Sequence, residues 1–191
     1  CIRDSYHTPY ELLLAVVLSA QCTDVRVNKL TPALFERFPD PQALAAATPE
    51  EILPYIASCS YPNAKANYLA GIGKCLISDF KGAVPATREE LESLPGVGRK
   101  SASVVLANAF HIPAFAVDTH VHRVAARLGL THNARTPEET ERQVTALIPR
   151  EEWWRAHHWL ILHGRYTCLA RRPKCTACPF EAWCPKIGLV E

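Results

Sequence analysis

With 191 residues and 48% hydrophobic content, the chain fits one large domain or two small ones and is too apolar to be disordered. No stretch approaches the ~20 uninterrupted apolar residues that a bilayer crossing needs. A net charge of only +2 excludes a uniformly basic coat, so any nucleic-acid surface must be local. The chain begins at Cys1 and contains no Met, which leads us to expect a trimmed N-terminus.

The punctuation along the chain is helical. Thr-x-x-Glu, the capping-box pattern, occurs at Thr8–Glu11, Thr48–Glu51, Thr87–Glu90 and Thr136–Glu139. Pro follows three of these threonines, as Pro9, Pro49 and Pro137, where a helix tolerates its missing N–H. Asp40-Pro41 and Asn63 add two further starts. No alternating run competes, so the expected fold is all-α, built of nine or ten short helices with brief connections. The first helix, Pro9 to Ala20, is apolar almost all round and should lie at the centre of its domain. Gln21 follows as a polar residue at that helix's mouth. Helices are expected near residues 24–38, 49–57 and 63–80, with a short one over 88–93.

That short helix leads into Leu94-Pro95-Gly96-Val97-Gly98-Arg99-Lys100, which reads as a hairpin. Pro95 restricts its own φ and that of Leu94, while the two glycines permit tight or positive-φ geometry. The apolar, Ala-rich run from Lys100 to Phe110 then continues as a helix. Three or four unpaired N–H groups should point outward at its start, where the helix dipole is positive and a phosphate oxygen is favoured. Lys100 lies in the same turn beside Arg99. An ammonium there is disfavoured, which favours a neutral, nucleophilic amine.

His111-Ile112-Pro113-Ala114-Phe115 breaks that helix and reads as a domain crossing, placing the first domain at 1–113 and the second at 114–191. Asp118, in Ala116-Val117-Asp118-Thr119-His120, is a good N-cap for a helix running to about Leu128. A carboxylate at that point has the chemistry to accept a proton or to stabilise positive charge on a sugar. Most of His120, His122, His157, His158 and His163 are read as packed or hydrogen-bonded rather than as acids, bases or ligands.

Of the eight cysteines, four lie in the last 24 residues with the spacing Cys168-x6-Cys175-x2-Cys178-x5-Cys184. Four such thiolates can enclose one tetrahedral metal ion or one iron–sulfur cube, and the spacing alone leaves the two open. The loop between the first two carries Arg171, Arg172 and Lys174 and no acidic residue, a set suited to a phosphate backbone. Cys1, Cys22, Cys59 and Cys75 have no metal-like spacing and read as small buried hydrophobes, or in the case of Cys1 as a terminal thiol.

In this order, the residues resemble the endonuclease III family of helix–hairpin–helix DNA glycosylases. The resemblance rests on Glu11-Leu12-Leu13, Leu18-Ser19-Ala20-Gln21, the hairpin with Lys100, Val117-Asp118-Thr119-His120, His157 to Tyr166 and the four cysteines. It implies two α-helical domains, a six-helix hairpin domain and an iron–sulfur cluster domain, with DNA in the cleft between them. It implies Lys100 as the nucleophile at the C1′ of a flipped-out nucleotide and Asp118 as the essential carboxylate. Cys168, Cys175, Cys178 and Cys184 match the ligands of a [4Fe–4S] cluster that is structural or redox-sensing. Gln21 matches a residue that fills the gap left by the extruded base. DNA contacts are expected at Leu94, Gly96, Val97, Gly98, Arg99, His120, Arg171, Arg172 and Lys174.

The implied activity is that of a bifunctional glycosylase and AP lyase. It would remove oxidised pyrimidines from duplex DNA through a lysine–sugar imine and cut the strand 3′ to the lesion. The implied setting is a monomer in the bacterial cytoplasm at the nucleoid, with damaged or abasic duplex DNA as partner and no membrane. Two departures stand out. The family's second gap-filling loop reads Ile-Gly-Leu-Tyr-Asn-x-Lys, against Cys59-Ser60-Tyr61-Pro62-Asn63-Ala64-Lys65 here. Tyr61 thus stands at the wedge position, and Pro62 should bias it towards extended geometry. The family's N-terminal helix also precedes the point where this sequence starts, and its loss would lower stability. A monofunctional enzyme acting on adenine mispairs shares the hairpin, the aspartate and the cluster but usually lacks the lysine. A non-catalytic hairpin module or an electron carrier would leave Lys100 and Asp118, or most of the chain, unexplained.

Overall fold

The computed structural model describes residues 6–189, so Cys1 and the reading attached to it lie outside the described residues. Among the described residues, ten α-helices and two 3-10 turns form the regular structure and no strand occurs. None of these helices is long and apolar enough to cross a membrane. The chain divides into two compact units, Cys1–Ile112 and Pro113–Glu191.

The first unit holds α1 (Pro9–Ser19), α2 (Asp24–Arg37), α3 (Pro41–Ala45), α4 (Pro49–Ile56), α5 (Pro62–Phe80), α6 (Arg88–Glu92) and α7 (Arg99–Ala109). The continuous apolar run of α1 dictates its place. Every residue from Leu12 to Leu18 is buried, and α2, α5 and α7 pack round it. Burying each such leucine is worth about 1.5–3 kcal/mol. The Tyr10 hydroxyl donates to Phe38 O at 3.1 Å and ties the start of α1 to the end of α2. On α5, Leu69, Ile72 and Leu76 share a buried stripe, and α3 and α4 pack against this helix.

All four predicted threonine caps are present, each accepting the N–H of the glutamate three residues on. Only Thr48 completes the reciprocal box, with Glu51 taking the Thr48 N–H at 2.8 Å. Glu11 and Glu139 instead accept from the residue before the cap, His7 and Arg135, and Glu90 accepts the Thr87 hydroxyl. The carboxylate stays at the positive helix end in every case; only the donor differs. Asp40 caps α3 through Ala43 N at 2.7 Å.

One expectation fails at α5, which starts at Pro62 rather than Asn63. Tyr61 is not extended but left-handed, with φ 55° and ψ 52°. Only Ala57 to Tyr61 separate α4 from α5, and the left-handed residue supplies the reversal that so short a link requires. Pro62 closes the ordinary helical region to Tyr61, leaving the left-handed one to make the turn.

The second unit holds α8 (Thr119–Arg127), α9 (Pro137–Leu147) and α10 (Trp153–Tyr166). Phe115, Val117, Val121, Val124, Val144 and Leu160 belong to its buried core. Among its described residues, the tail beyond α10 carries only a 3-10 turn, Cys175–Ala177, so it must be held by contacts from elsewhere. Two arginines one helical turn apart on α8 provide them. Arg123 donates to Gly164 O at 2.9 Å and to Cys168 O, and the buried Arg127 donates to Leu169 O at 2.6 Å and Ala170 O at 3.1 Å.

Candidate functional site

In the first unit, α6, the turn from Ser93 to Gly98 and α7 form a helix–hairpin–helix. Leu94 and Val97 are buried and anchor the hairpin, with Val97 N donating to Leu94 O at 3.1 Å. Arg88 donates to the Ser103 hydroxyl at 3.0 Å and joins the two helices. The two glycines have different reasons to be there. Gly96 has φ +74°, and a Cβ on it would meet the Tyr68 ring at 2.6 Å, so both backbone and packing require it. Gly98 is extended, with φ −101°, and a Cβ there would meet nothing within 4 Å. It is the N-cap of α7 and brings no side chain to cap the helix, unlike the threonines at α1, α4, α6 and α9. The mouth of α7 is therefore open to an anion, with exposed Arg99 and Lys100 in its first turn.

Gln21 and Tyr61 share an unusual conformation. Both are exposed, and both have φ of 55°, in the region that non-glycine residues seldom occupy. Tyr61 is 65% exposed and so is not packed down onto the fold. Behind the two loops lies Lys65, only 4% exposed, whose Nζ donates to Leu18 O and Ala20 O at 2.7 Å each and to Cys59 Sγ at 3.2 Å. Its cation neutralises the negative end of α1 and holds the residue before Gln21. The same ammonium grips Cys59, two residues before Tyr61. Cys22 is half-buried rather than buried, unlike the small buried hydrophobe expected there.

In the second unit, Asp118 caps α8, its Oδ1 accepting from His120 N at 2.9 Å and Val121 N at 2.8 Å. Oδ2 takes no hydrogen bond among the described residues. His120 is half-buried with Nδ1 at 3.2 Å from Arg123. His122 bonds the Thr140 hydroxyl and His157 the carbonyl of Ala116, each at 2.7 Å, while His158 bonds Trp154 O at 2.8 Å. These three rings do the packing and bonding work expected of them. His163 lies 3.7 Å from Cys178 Sγ, and burial holds its pKa below the usual histidine value.

Cys168, Cys175, Cys178 and Cys184 are half-buried free thiols lining one cavity of about 20 Å³ together with Arg127 and His163. Arg127 donates to Cys168 Sγ at 3.4 Å, and Cys184 Sγ donates to Arg127 O at 3.2 Å. Among the described residues, no group of three or more His, Cys, Asp or Glu is placed to hold a metal ion. Soft thiolates facing one cavity nonetheless form the donor set that an iron–sulfur cluster takes. The loop between Cys168 and Cys175 is closed by Lys174 N donating to Thr167 O at 2.9 Å, and Arg171, Arg172 and Lys174 stand exposed on it.

Three organising residues escaped the sequence reading: Lys65, Arg123 and Arg127. Lys65 did leave a signal. It lies on the stripe of Leu69, Ile72 and Leu76, at offsets of 4, 7 and 11, where a lysine must be buried. The arginines gave only an i, i+4 pair on a helix already rich in polar residues.

Residues 14–150 match the HhH-GPD superfamily of base excision DNA repair proteins. Endonuclease III of Treponema pallidum is 47% identical, the match covering 95% of this chain and 85% of that protein. Endonuclease III of Synechocystis is 49% identical over 94% of this chain and 82% of that protein. A solved structure of a trapped endonuclease III–DNA covalent intermediate superposes with a TM-score of 0.89 at 45% identity, covering 95% of this chain and 85% of the other.

Proposed function

The chain belongs to the endonuclease III family of HhH-GPD base excision DNA repair proteins, which are DNA glycosylases with AP lyase activity, and we propose that it removes oxidised pyrimidines from duplex DNA through a lysine–sugar Schiff base. The observation that carries this reading is the mouth of α7. An exposed lysine stands in the first turn of a helix whose N-cap has no side chain to occupy the anion position.

In this reading the hairpin residues Leu94 to Arg99 bind the DNA backbone through main-chain N–H groups, and Arg171, Arg172 and Lys174 add phosphate contacts from the tail. His120 lies near the start of α8 as a further DNA contact. Gln21 and Tyr61 enter the duplex when the damaged nucleotide leaves it. Their left-handed backbones present the side chains outward at the cost of strain, and an aromatic at position 61 can stack on a neighbouring base.

The chemistry follows from Lys100 and Asp118. The Lys100 amine, once it has lost its proton, attacks C1′ of the deoxyribose, and the bond to the damaged base breaks with the base as leaving group. Asp118, with Oδ1 fixed by the cap, uses Oδ2 to stabilise positive charge developing on the sugar. The ring opens to an imine between Nζ and C1′. Loss of a C2′ proton then expels the 3′ phosphate and cuts the strand 3′ to the lesion. Cys168, Cys175, Cys178 and Cys184 would hold a [4Fe–4S] cluster, which supplies a structural cross-link or a redox-sensing centre rather than bond-breaking chemistry.

The test is a duplex oligonucleotide carrying one oxidised pyrimidine. The protein is expected to release the free base and cut the strand, and the Lys100→Gln variant to do neither. Intact lesion strands after incubation with the wild-type protein would overturn the lesion class. Undiminished cutting by the variant would overturn the lysine.

A further inference from the structure

The ammonium of Lys65 meets acceptors from both of the loops that carry Gln21 and Tyr61. It has three N–H donors and three partners: Leu18 O and Ala20 O at 2.7 Å each, and Cys59 Sγ at 3.2 Å. Ala20 O belongs to the planar peptide unit that ends at Gln21 N, so holding that carbonyl holds one side of the Gln21 φ of 55°. On the other loop, the Cys59 thiol donates to Leu18 O at 3.3 Å and the Cys59 N–H donates to Ile56 O at 2.8 Å, which pins the link between α4 and α5 two residues ahead of Tyr61. The main-chain N–H of Lys65 donates to Tyr61 O at 3.1 Å as the first bond of α5. One buried residue thus holds the peptide before Gln21 by its side chain and the carbonyl of Tyr61 by its backbone.

We propose that Lys65 is a positioning residue for base extrusion: its ammonium locks the Gln21 loop to the Tyr61 loop, so that the two side chains enter the duplex as one preassembled wedge. This rests on the reading that Gln21 and Tyr61 fill the gap left by the damaged nucleotide. A left-handed φ is costly for any residue but glycine, and a loop free to move relaxes out of it. Without the ammonium, the carbonyls of Leu18 and Ala20 at the negative end of α1 turn towards water, and the Gln21 peptide turns with them. The wedge must then be ordered again each time DNA arrives. Ordering the backbone of one residue slows or weakens a step by about 5–30-fold, a loss avoided when the conformation is fixed beforehand. A leucine at this place on the apolar stripe of α5 would fill the space and fix neither carbonyl.

A duplex carrying one oxidised pyrimidine with 2-aminopurine beside it tests this, because the analogue brightens when its neighbour leaves the stack. The intact protein is compared with Lys65→Met, with the pair Gln21→Ala and Tyr61→Ala, and with all three changes together, at a temperature where melts show each to be folded. In the wild-type background Lys65→Met should slow the brightening by about 5–30-fold. In the paired background the same change should slow it no further, because Lys65 acts through those two side chains. Slowing by an equal factor in both backgrounds, as a general loss of structure would give, or no slowing in the wild-type background, would overturn the proposal. Where Lys65→Met does not fold, Cys59→Ala cuts the link to the Tyr61 loop and leaves the two carbonyls held. The loss of that one hydrogen bond should slow the brightening by about 2–12-fold in the wild-type background and not at all in the paired one, with the same two contrary results overturning the proposal. If the pair itself extrudes the base at the wild-type rate, the reading of Gln21 and Tyr61 falls and the proposal with it; if the pair is slow and Lys65→Met is not, the coupling alone falls.

Discussion

Gly96 and Gly98 lie two residues apart in one hairpin, and the structure predicts opposite consequences for the same substitution. Gly96→Ala must hold a left-handed φ of +74°, costing about 1–2 kcal/mol. Its methyl group also strikes the Tyr68 ring. That ring is 41% exposed and can swing aside, for about 0.5–1.5 kcal/mol of rotamer strain. Alanine's stiffer unfolded chain returns about 0.4–1 kcal/mol. The net loss is about 0.5–3 kcal/mol, and at about 2–4 °C per kcal/mol for a chain this size the melting midpoint should fall by about 1–12 °C. Gly98→Ala adopts an ordinary φ and meets open space. Alanine is a poorer N-cap than glycine, and the same unfolded-state gain of about 0.4–1 kcal/mol offsets that loss, so the midpoint should hardly move. Its methyl, however, stands at the mouth of α7. Excluding one phosphate bond there costs about 1.5–3 kcal/mol, or about tenfold or more in DNA affinity. Circular-dichroism melts and fluorescence-anisotropy titrations of both variants decide the matter. Equal melting losses, or unaltered DNA binding by Gly98→Ala, would refute the different roles assigned to the two glycines.

Three further outcomes are expected. Lys65→Met leaves the carbonyls of Leu18 and Ala20 without their buried cation and should cost about 2–4 kcal/mol in urea unfolding. Arg127→Met frees the carbonyls of Leu169 and Ala170, so limited trypsin digestion should cut after Arg171 faster than in the wild type. Replacing Arg171, Arg172 and Lys174 together by alanine should lower the slope of log affinity against log salt by about 2–3, at about 0.9 for each phosphate no longer neutralised.

Local chemistry was what the sequence could reveal. The threonine caps, the hairpin glycines and the Asp118 cap are decided within four residues of themselves, and each stands where the pattern put it. The backbone at Tyr61 was misread because the rule for a residue before proline concerns one peptide unit. The conformation is decided by two helices that must be joined through five residues. The charge of Lys65 points to the surface while its place on the apolar stripe of α5 points to burial, and the second prevails because its ammonium finds the carbonyls at the end of α1. The bond from Lys65 Nζ to Leu18 O spans 47 residues and depends on how α1 packs beside α5, which no spacing rule reports. Similarly, the thiols of the tail advertised themselves by their spacing, whereas the arginines that hold them act from a helix 41 residues and more away.

The account turns on the Lys100 amine becoming covalently joined to a sugar carbon. Incubating the protein with a duplex containing one abasic site in the presence of sodium borohydride reads that bond directly. A protein–DNA adduct should form with the wild type, with its cross-linked peptide carrying the sugar on Lys100, and should be absent with Lys100→Ala. An adduct of equal yield in the variant, or one mapped to another lysine, would contradict it.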